Sequence, residues 1–260
     1  MPELPEVEVL RRRLIPACVG RRINEVVVKD GRVLSEVDSS ELQACVENKS
    51  VVNILRHGKQ LFFDLGSGLL TVHLGMTGEL LIVQGCEELA PHARALFKMD
   101  DGSTLVYNDP RMFGRLGCTR SVKDFIMDRG LGPDALSLDE KEFSVCAKSH
   151  RRPIKAVLMD QHILAGVGNL YSDEALFQAR INPTKVANKI SSKGLRCLGR
   201  EIKEVLLQSI YAETVFERLP KGYLLRCRRR GELCPRNNGV LTSIEIGGRT
   251  SVYCPTCQRN

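Results

Sequence analysis

The chain has 260 residues, of which 43% are hydrophobic, and its 38 Lys and Arg outweigh 31 Asp and Glu to give a net charge of +7. That balance excludes intrinsic disorder and leaves room for one large domain, or two smaller ones with a satellite module. No apolar run approaches the roughly 20 residues of a membrane span and no basic-then-apolar leader opens the sequence, so a soluble, unexported protein is expected.

The opening MPELPEVEVL puts Pro5 where a first helical turn tolerates it. Leu4, Val7, Leu10, Leu14 and Cys18 then recur at three- and four-residue spacing until Gly20 supplies a stop. From Ile23 to about Leu116 the signal is mostly β, in INEVVV, VVNIL, QLFFDL, LLTVHL and ELLIV, with a hairpin ALFKM–TLVYN turning at Asp101-Gly102. A short helix around SSELQACVEN interrupts this series. Many short strands with turn residues between them predict a sandwich or barrel. Near residue 122 the period becomes helical, in LSLDEKEFSVCAKSH, PIKAVLMDQ, NLYSDEALFQAR and SSKGLRCLGREIKEVLLQSI. A basic linker and a cysteine-bearing tail follow. The expected class is α+β multidomain: an N-terminal β-sandwich with its leading helix at 1–122, a helical domain at 123–220 and a hairpin module at 221–260.

Arginine clusters in RRRL (11–14), SHRRP (149–153) and RCRRRGE (226–232). One such cluster is an ordinary solvated face. Three on a basic chain favour a polyanion partner, since each neutralised phosphate also releases counterions. The absence of tryptophan speaks against an aromatic platform for single strands. Of the ten cysteines, Cys18, Cys45, Cys118, Cys146 and Cys197 stand singly in apolar patterns, as small buried hydrophobes do; only the tail clusters them. This reads as a reducing compartment with one metal site. Cys254 and Cys257 have the spacing that clamps a tetrahedral zinc, and Cys234 lies upstream at the right offset. The position completing the upstream pair is Asn237, so the site is either three-cysteine or rescued by another group, Cys227 being nearest.

In LMDQHILAGVGNLYSDEALF, a glycine-containing turn separates two helices and Asn169 starts the second, where exposed amides would bind phosphate. An ordinary helical hairpin explains the same pattern. Lys59 follows Gly58 at a hairpin tip, while Met76, Arg111 and Phe113 fall in or beside turns, where core residues or a wedge that fills a gap in duplex DNA would both fit. The opening stretch carries the sharpest chemistry. Removal of Met1, which a small second residue permits, gives Pro2 a secondary amine able to attack an anomeric carbon and form an iminium. Glu3 and Glu6 sit where they can exchange protons around it. A proline-capped helix with acidic residues favoured by its dipole explains the same residues structurally.

These pieces, in this order, resemble the bacterial formamidopyrimidine-DNA glycosylases, relatives of endonuclease VIII. PELPEVE, HGK at 57–59, HLGMTG, NDPRMFG, LMDQ…GVGNLYSDEALF and GRTSVYCPTCQ carry the likeness, which runs nearly end to end. Leu4, where the endonuclease VIII branch typically has glycine, points to the formamidopyrimidine branch. The resemblance implies a β-sandwich joined to a helix–two-turn–helix domain and a zinc ribbon, acting as a base-excision-repair glycosylase with AP lyase activity on oxidised or ring-opened purines. It implies Pro2 as nucleophile, Glu3 as general acid/base, Glu6 in support and Lys59 on a phosphate beside the lesion. Met76, Arg111 and Phe113 would fill the void, His73, Asn169 and Arg249 would contact phosphates, and Lys155, Tyr171 and Glu174 would belong to the DNA-binding set near the flipped nucleotide.

Three departures stand out: Asn237 in place of a cysteine, a shortened segment between the last long helix and Cys234, and Met112 where a basic residue is usual. Two alternatives follow, an oxidised-pyrimidine or abasic-site enzyme and a non-catalytic lesion binder. Pro2 and Glu3, which a pure binder has no need to keep, are both present. The expected partner is damaged double-stranded DNA, engaged by a monomer in the cytoplasm of a bacterium at its nucleoid. Zinc is the one cofactor expected, with no redox or nucleotide cofactor.

Overall fold

The helical start at Pro5 is realised as α1 (Leu4–Cys18), whose Val7, Leu14 and Cys18 face inward. The computed structural model describes residues 1–85, 89–237 and 239–259. Its contacts divide the chain into two units, Met1–Pro2 with Glu6–Gly130, and Glu3–Pro5 with Leu131–Asn260.

In the first unit β1 (Arg22–Val28) is followed by α2 (Ser39–Val46), which Asp38 and Glu41 cap reciprocally: Asp38 Oδ1 accepts from the Glu41 amide at 2.8 Å and Glu41 Oε2 from the Asp38 amide at 2.8 Å. The strands β2 (Lys49–Ser50), β3 (Asn53–His57), β4 (Gln60–Asp64), β5 (Leu69–His73), β6 (Glu79–Gln84), β7 (Ala93–Met99), β8 (Ser103–Asn108) and β9 (Arg115–Thr119) complete it, with α3 (Val122–Asp128) at its end. They form two antiparallel sheets, ordered β2-β1-β7-β8-β6 and β3-β4-β5-β9. Ile23, Val26, Phe97, Leu105 and Tyr107 of one sheet share a core with Ile54, Leu61, Phe63, Val72 and Leu116 of the other. That is a β-sandwich. The β7–β8 hairpin turns at Gly102, φ +82°, as the Asp-Gly pair predicts. Strand β9 runs past Leu116 to Thr119, because pairing with β5 outweighs the weak strand signal of Gly117 and Cys118.

The second unit holds α4 (Glu140–Lys148), α5 (Ile154–Leu158), α6 (Asn169–Gln178) and α7 (Ser192–Tyr211), then the hairpin β10 (Thr242–Ile246) and β11 (Arg249–Tyr253). Leu195, Leu198, Ile202, Val205 and Leu206 give α7 one buried stripe. Helix α6 is different: every residue from Tyr171 to Phe177 is buried, including Ser172, Asp173 and Glu174. Phe177 and Leu224 pack with Cys234, Leu241, Val252 and Cys254 of the hairpin region. No helix among the described residues is long and apolar enough to cross a membrane.

Candidate functional site

Glu3 is only 1% exposed, and its carboxylate accepts hydrogen bonds from the amides of Gly168 (2.7 Å), Leu170 (2.8 Å) and Tyr171 (3.4 Å) at the start of α6. These are the amides that the sequence assigned to phosphate. The chain's own carboxylate takes them instead, because the positive end of a helix stabilises whichever anion is fixed there. The turn before α6 is shaped for this approach. A Cβ at Gly168 would lie 2.4 Å from Glu3 Cδ, and one at Gly166 would lie 2.5 Å from Leu4 Cδ1. Gln161 braces the same turn: its Oε1 accepts from the Gly166 amide at 3.0 Å and its Nε2 donates to the Val167 carbonyl at 2.8 Å. Pro2, next to Glu3 in the chain, is half-buried, and so is Glu6 in the first turn of α1; Met1 is exposed.

Asn169, Lys155 and Asp173 are linked in series. The Lys155 ammonium, fully buried, donates to Asn169 Oδ1 at 2.7 Å and to Asp173 Oδ1 at 2.6 Å. Burial pushes its pKa down, against the pull of the Asp173 charge. Asp173 also accepts from Arg228 Nη2 (2.6 Å), Ser251 Oγ (2.7 Å) and the Val252 amide (2.9 Å), so one buried carboxylate fastens α6 to β11. Arg249, exposed at the start of β11, directly precedes the segment so held. Glu174 is also fully buried; its carboxylate accepts from Gln178 Nε2 (2.6 Å) and from the amides of Leu224 (3.2 Å) and Leu225 (2.7 Å). Burial pushes its pKa up to about 7, against the hydrogen bonds from Gln178 and the two amides. Tyr171 is buried. Lys155 and Glu174, assigned from sequence to the surroundings of a flipped nucleotide, therefore have their charged atoms on protein groups.

In the first unit, His57, Gln60, His73 and Arg115 lie in register across one end of β3-β4-β5-β9, with Lys59 in the turn between β3 and β4. His73 Nδ1 accepts from the Gly75 amide at 3.1 Å, which leaves Nε2 as the protonated nitrogen of the neutral ring. Burial, then the Lys59 and Arg115 charges, hold its pKa below the usual imidazole value. Two turns adjoin this end. Asp109, fully buried, accepts from Thr77 Oγ1 (2.7 Å) and from the amides of Arg111 (3.3 Å) and Gly114 (2.8 Å), lacing the turn of Met76 to that of Arg111–Phe113. Met112, at φ +54°, turns inward onto the core, while the Arg111 guanidinium lies 4.8 Å from the centre of the Phe113 ring, which is 50% exposed. Met76 is half-buried. Asp109, Gln161, Asp173 and Arg228 were not singled out from the sequence. The available signal was three consecutive polar residues, Ser172 to Glu174, inside an otherwise apolar helix.

The thiols of Cys234, Cys254 and Cys257 lie within 4.8 Å of one another. Three such donors suit a zinc ion, which favours thiolate ligands in tetrahedral array. Cys227 is outside this group; its thiol donates to the Leu233 carbonyl at 3.7 Å.

Comparison with known proteins adds a family context. The model of the formamidopyrimidine-DNA glycosylase N-terminal domain matches residues 1–116, and that of the formamidopyrimidine-DNA glycosylase H2TH domain matches 130–218. The formamidopyrimidine-DNA glycosylase of Geobacter metallireducens is 35% identical, over 99% of this chain and 100% of its own length. That of Thermus thermophilus is 36% identical, over 99% and 98%. Among solved structures, the Lactococcus lactis enzyme non-covalently bound to DNA with an AP site superposes with a TM-score of 0.91 at 29% identity, covering 99% of this chain and 100% of that one. The same enzyme in complex with DNA containing Fapy-dG gives 0.90 at 28%, covering 99% of this chain and 100% of that one.

Proposed function

We propose a reaction course for this chain, which belongs to the formamidopyrimidine-DNA glycosylase family and is a base-excision DNA glycosylase acting on damaged duplex DNA. After removal of Met1, the Pro2 nitrogen attacks C1′ of a nucleotide flipped out of the stack, since that carbon is inaccessible inside it. The N-glycosidic bond breaks and the base leaves with a proton. Loss of the amine proton and cleavage of the C1′–O4′ bond, with a proton delivered to O4′ to leave a 4′-hydroxyl, give an iminium between Pro2 and C1′. Removal of a C2′ proton then expels the 3′ phosphate, which cuts the strand. Glu3 exchanges these protons and Glu6 supports it. The observation that carries the reading is the seating of Glu3 on the first amides of α6, which fixes a carboxylate one residue from the nucleophile.

Around this chemistry Lys59, His73, Asn169 and Arg249 take phosphates, and Met76, Arg111 and Phe113 occupy the place of the extruded nucleotide. The half-exposed Phe113 ring then gains a dry environment in the duplex. Lys155, Tyr171 and Glu174 act from within the protein, Lys155 by holding Asn169. A structural zinc at Cys234, Cys254 and Cys257 keeps the hairpin that carries Arg249 folded. The three parts 1–122, 123–220 and 221–260 serve as catalytic domain, DNA-binding helical domain and hairpin module. The enzyme works as a monomer on the bacterial chromosome.

Borohydride trapping on a duplex with a ring-opened purine tests the nucleophile. Mature protein should form a stable protein–DNA adduct, Pro2→Gly should retain part of it, and one extra residue before Pro2 should abolish it. Undiminished trapping by the extended protein would overturn the assignment of Pro2.

A further inference from the structure

The cysteine cluster has three thiols and a neighbouring amide, and the hydrogen bonds of that amide determine what it can offer a metal. Asn237 Oδ1 accepts from the backbone amide of Gly239 at 2.6 Å. A backbone N–H is only ever a donor, so it identifies the atom facing it as oxygen and fixes which way the side chain points. The other end, Nδ2, is then the atom 2.8 Å from Cys257 Sγ. An amide NH2 has no lone pair for a metal, but it is a good donor to a thiolate. Oδ1 stands 4.0 Å from Cys254 Sγ and is already engaged by Gly239.

We propose that Asn237 is a hydrogen-bond donor to the Cys257 thiolate and not a metal ligand, so that a zinc ion in this chain has three thiolate ligands and a fourth position open to a small exogenous donor. This rests on the reading of Cys234, Cys254 and Cys257 as a metal site. Three thiolates around a divalent ion leave a net negative charge, so the donor that completes the tetrahedron is neutral: water, or an imidazole-like nitrogen. Cys254 is fully buried and Cys234 nearly so, whereas Cys257 and Asn237 are half-buried, so solvent reaches the cluster from the Asn237 side. Replacing a fourth cysteine by this asparagine turns a closed structural site into one that exchanges a ligand while the three sulfurs hold the fold.

The test uses the full-length protein loaded with Co2+, whose visible ligand-field bands report the donor set, titrated with imidazole. Wild type should take up one cobalt and show a saturable band shift with imidazole that reverses on dialysis. Asn237→Ala should give the same starting spectrum, because no ligand is lost, with cobalt affinity about 10-fold weaker from the missing hydrogen bond. Asn237→Cys should show a more sulfur-rich spectrum that imidazole leaves unchanged. A starting spectrum altered in Asn237→Ala would make Asn237 a ligand and overturn the proposal. So would a wild-type spectrum insensitive to imidazole, or an Asn237→Cys spectrum that responds to it. Failure of wild type to take up cobalt would overturn the metal site itself, and the open position with it. Circular dichroism of the two variants confirms that the spectra compare folded proteins.

Discussion

Gly168 shows how one missing methyl group serves the chemistry. The backbone of a residue with a side chain cannot come as close to Glu3, because its Cβ would fall 2.4 Å from the Glu3 carboxyl carbon. Gly168→Ala should therefore push Glu3 off the amides of Gly168 and Leu170 while leaving the helices of the second unit in place. Each hydrogen bond to a charged group is worth about 1.5–3 kcal/mol. Losing the alignment of a proton-transferring group costs about 10²–10⁴-fold in rate. Single-turnover base excision by Gly168→Ala should fall by at least about 100-fold, with far-UV circular dichroism unchanged. A rate within threefold of wild type would show that Glu3 does not need this seat. The sequence offered both halves of this arrangement, GVGN and PELPE, but not their meeting. Residues 3 and 168 are brought together by tertiary structure alone, and a helix N-terminus read in isolation invites phosphate as readily as a carboxylate.

Helix α6 owes its place to buried charge, which periodicity does not register. Asp173 pairs with Lys155 and Arg228 and accepts from the β11 backbone, with both Asp173 and Lys155 fully buried. Asp173→Asn removes the counter-charge of a buried ammonium, and breaking such a pair costs about 3–5 kcal/mol. Urea unfolding should show a loss of that order, partly restored when Lys155→Met is added. A variant as stable as wild type would mean that water or Asn169 satisfies Lys155 unaided. Helices α1 and α7 and the sandwich were legible because their apolar spacing matches their burial. The tail hairpin was legible instead from its cysteine spacing and family likeness, its Ile244 being exposed and its Ser251 buried. Asp173 and Asp109 were not legible, since they act through partners distant in sequence, Arg228 and Ser251 for the one and Thr77 for the other. Gln161 holds Gly166 and Val167 in its own turn, where an amide side chain carries no apolar period to mark it. The connection after α7 is the segment expected from the sequence to be short for the family. It holds two 3-10 turns, Phe216–Arg218 and Leu224–Arg226, with Leu224 and Leu225 buried and their amides donated to Glu174. A segment fastened this way has few amides left to read the edge of a flipped purine, and selectivity between bases comes from such hydrogen bonds. Discrimination for 8-oxoguanine over formamidopyrimidines and abasic sites should therefore be weak, by single-turnover rates on matched duplexes. A strong preference for 8-oxoguanine opposite cytosine would place the reading of the base on another element.

Across the whole molecule, the net charge of +7 bears on function only if the basic groups of both units meet one polyanion. Lys59 belongs to the first unit, beside His73 and Arg115, and Arg249 belongs to the second, at the start of β11. Each phosphate contact releases condensed counterions, so the slope of log K against log salt grows by about 0.9 per contact on duplex DNA. If both residues hold phosphates of the same duplex, Lys59→Ala and Arg249→Ala should each reduce that slope by about one, and the double variant by about two. Their affinity losses should also add, because sites without shared partners are energetically independent. If only one unit engages DNA, one variant will change the slope and the other will not. Fluorescence anisotropy on a duplex with an abasic-site analogue, over a series of salt concentrations, separates these cases. An unchanged slope for Lys59→Ala would remove the first unit from the phosphate contacts, and an unchanged slope for Arg249→Ala would remove the hairpin. A double variant losing only one contact would mean that the two residues compete for a single phosphate.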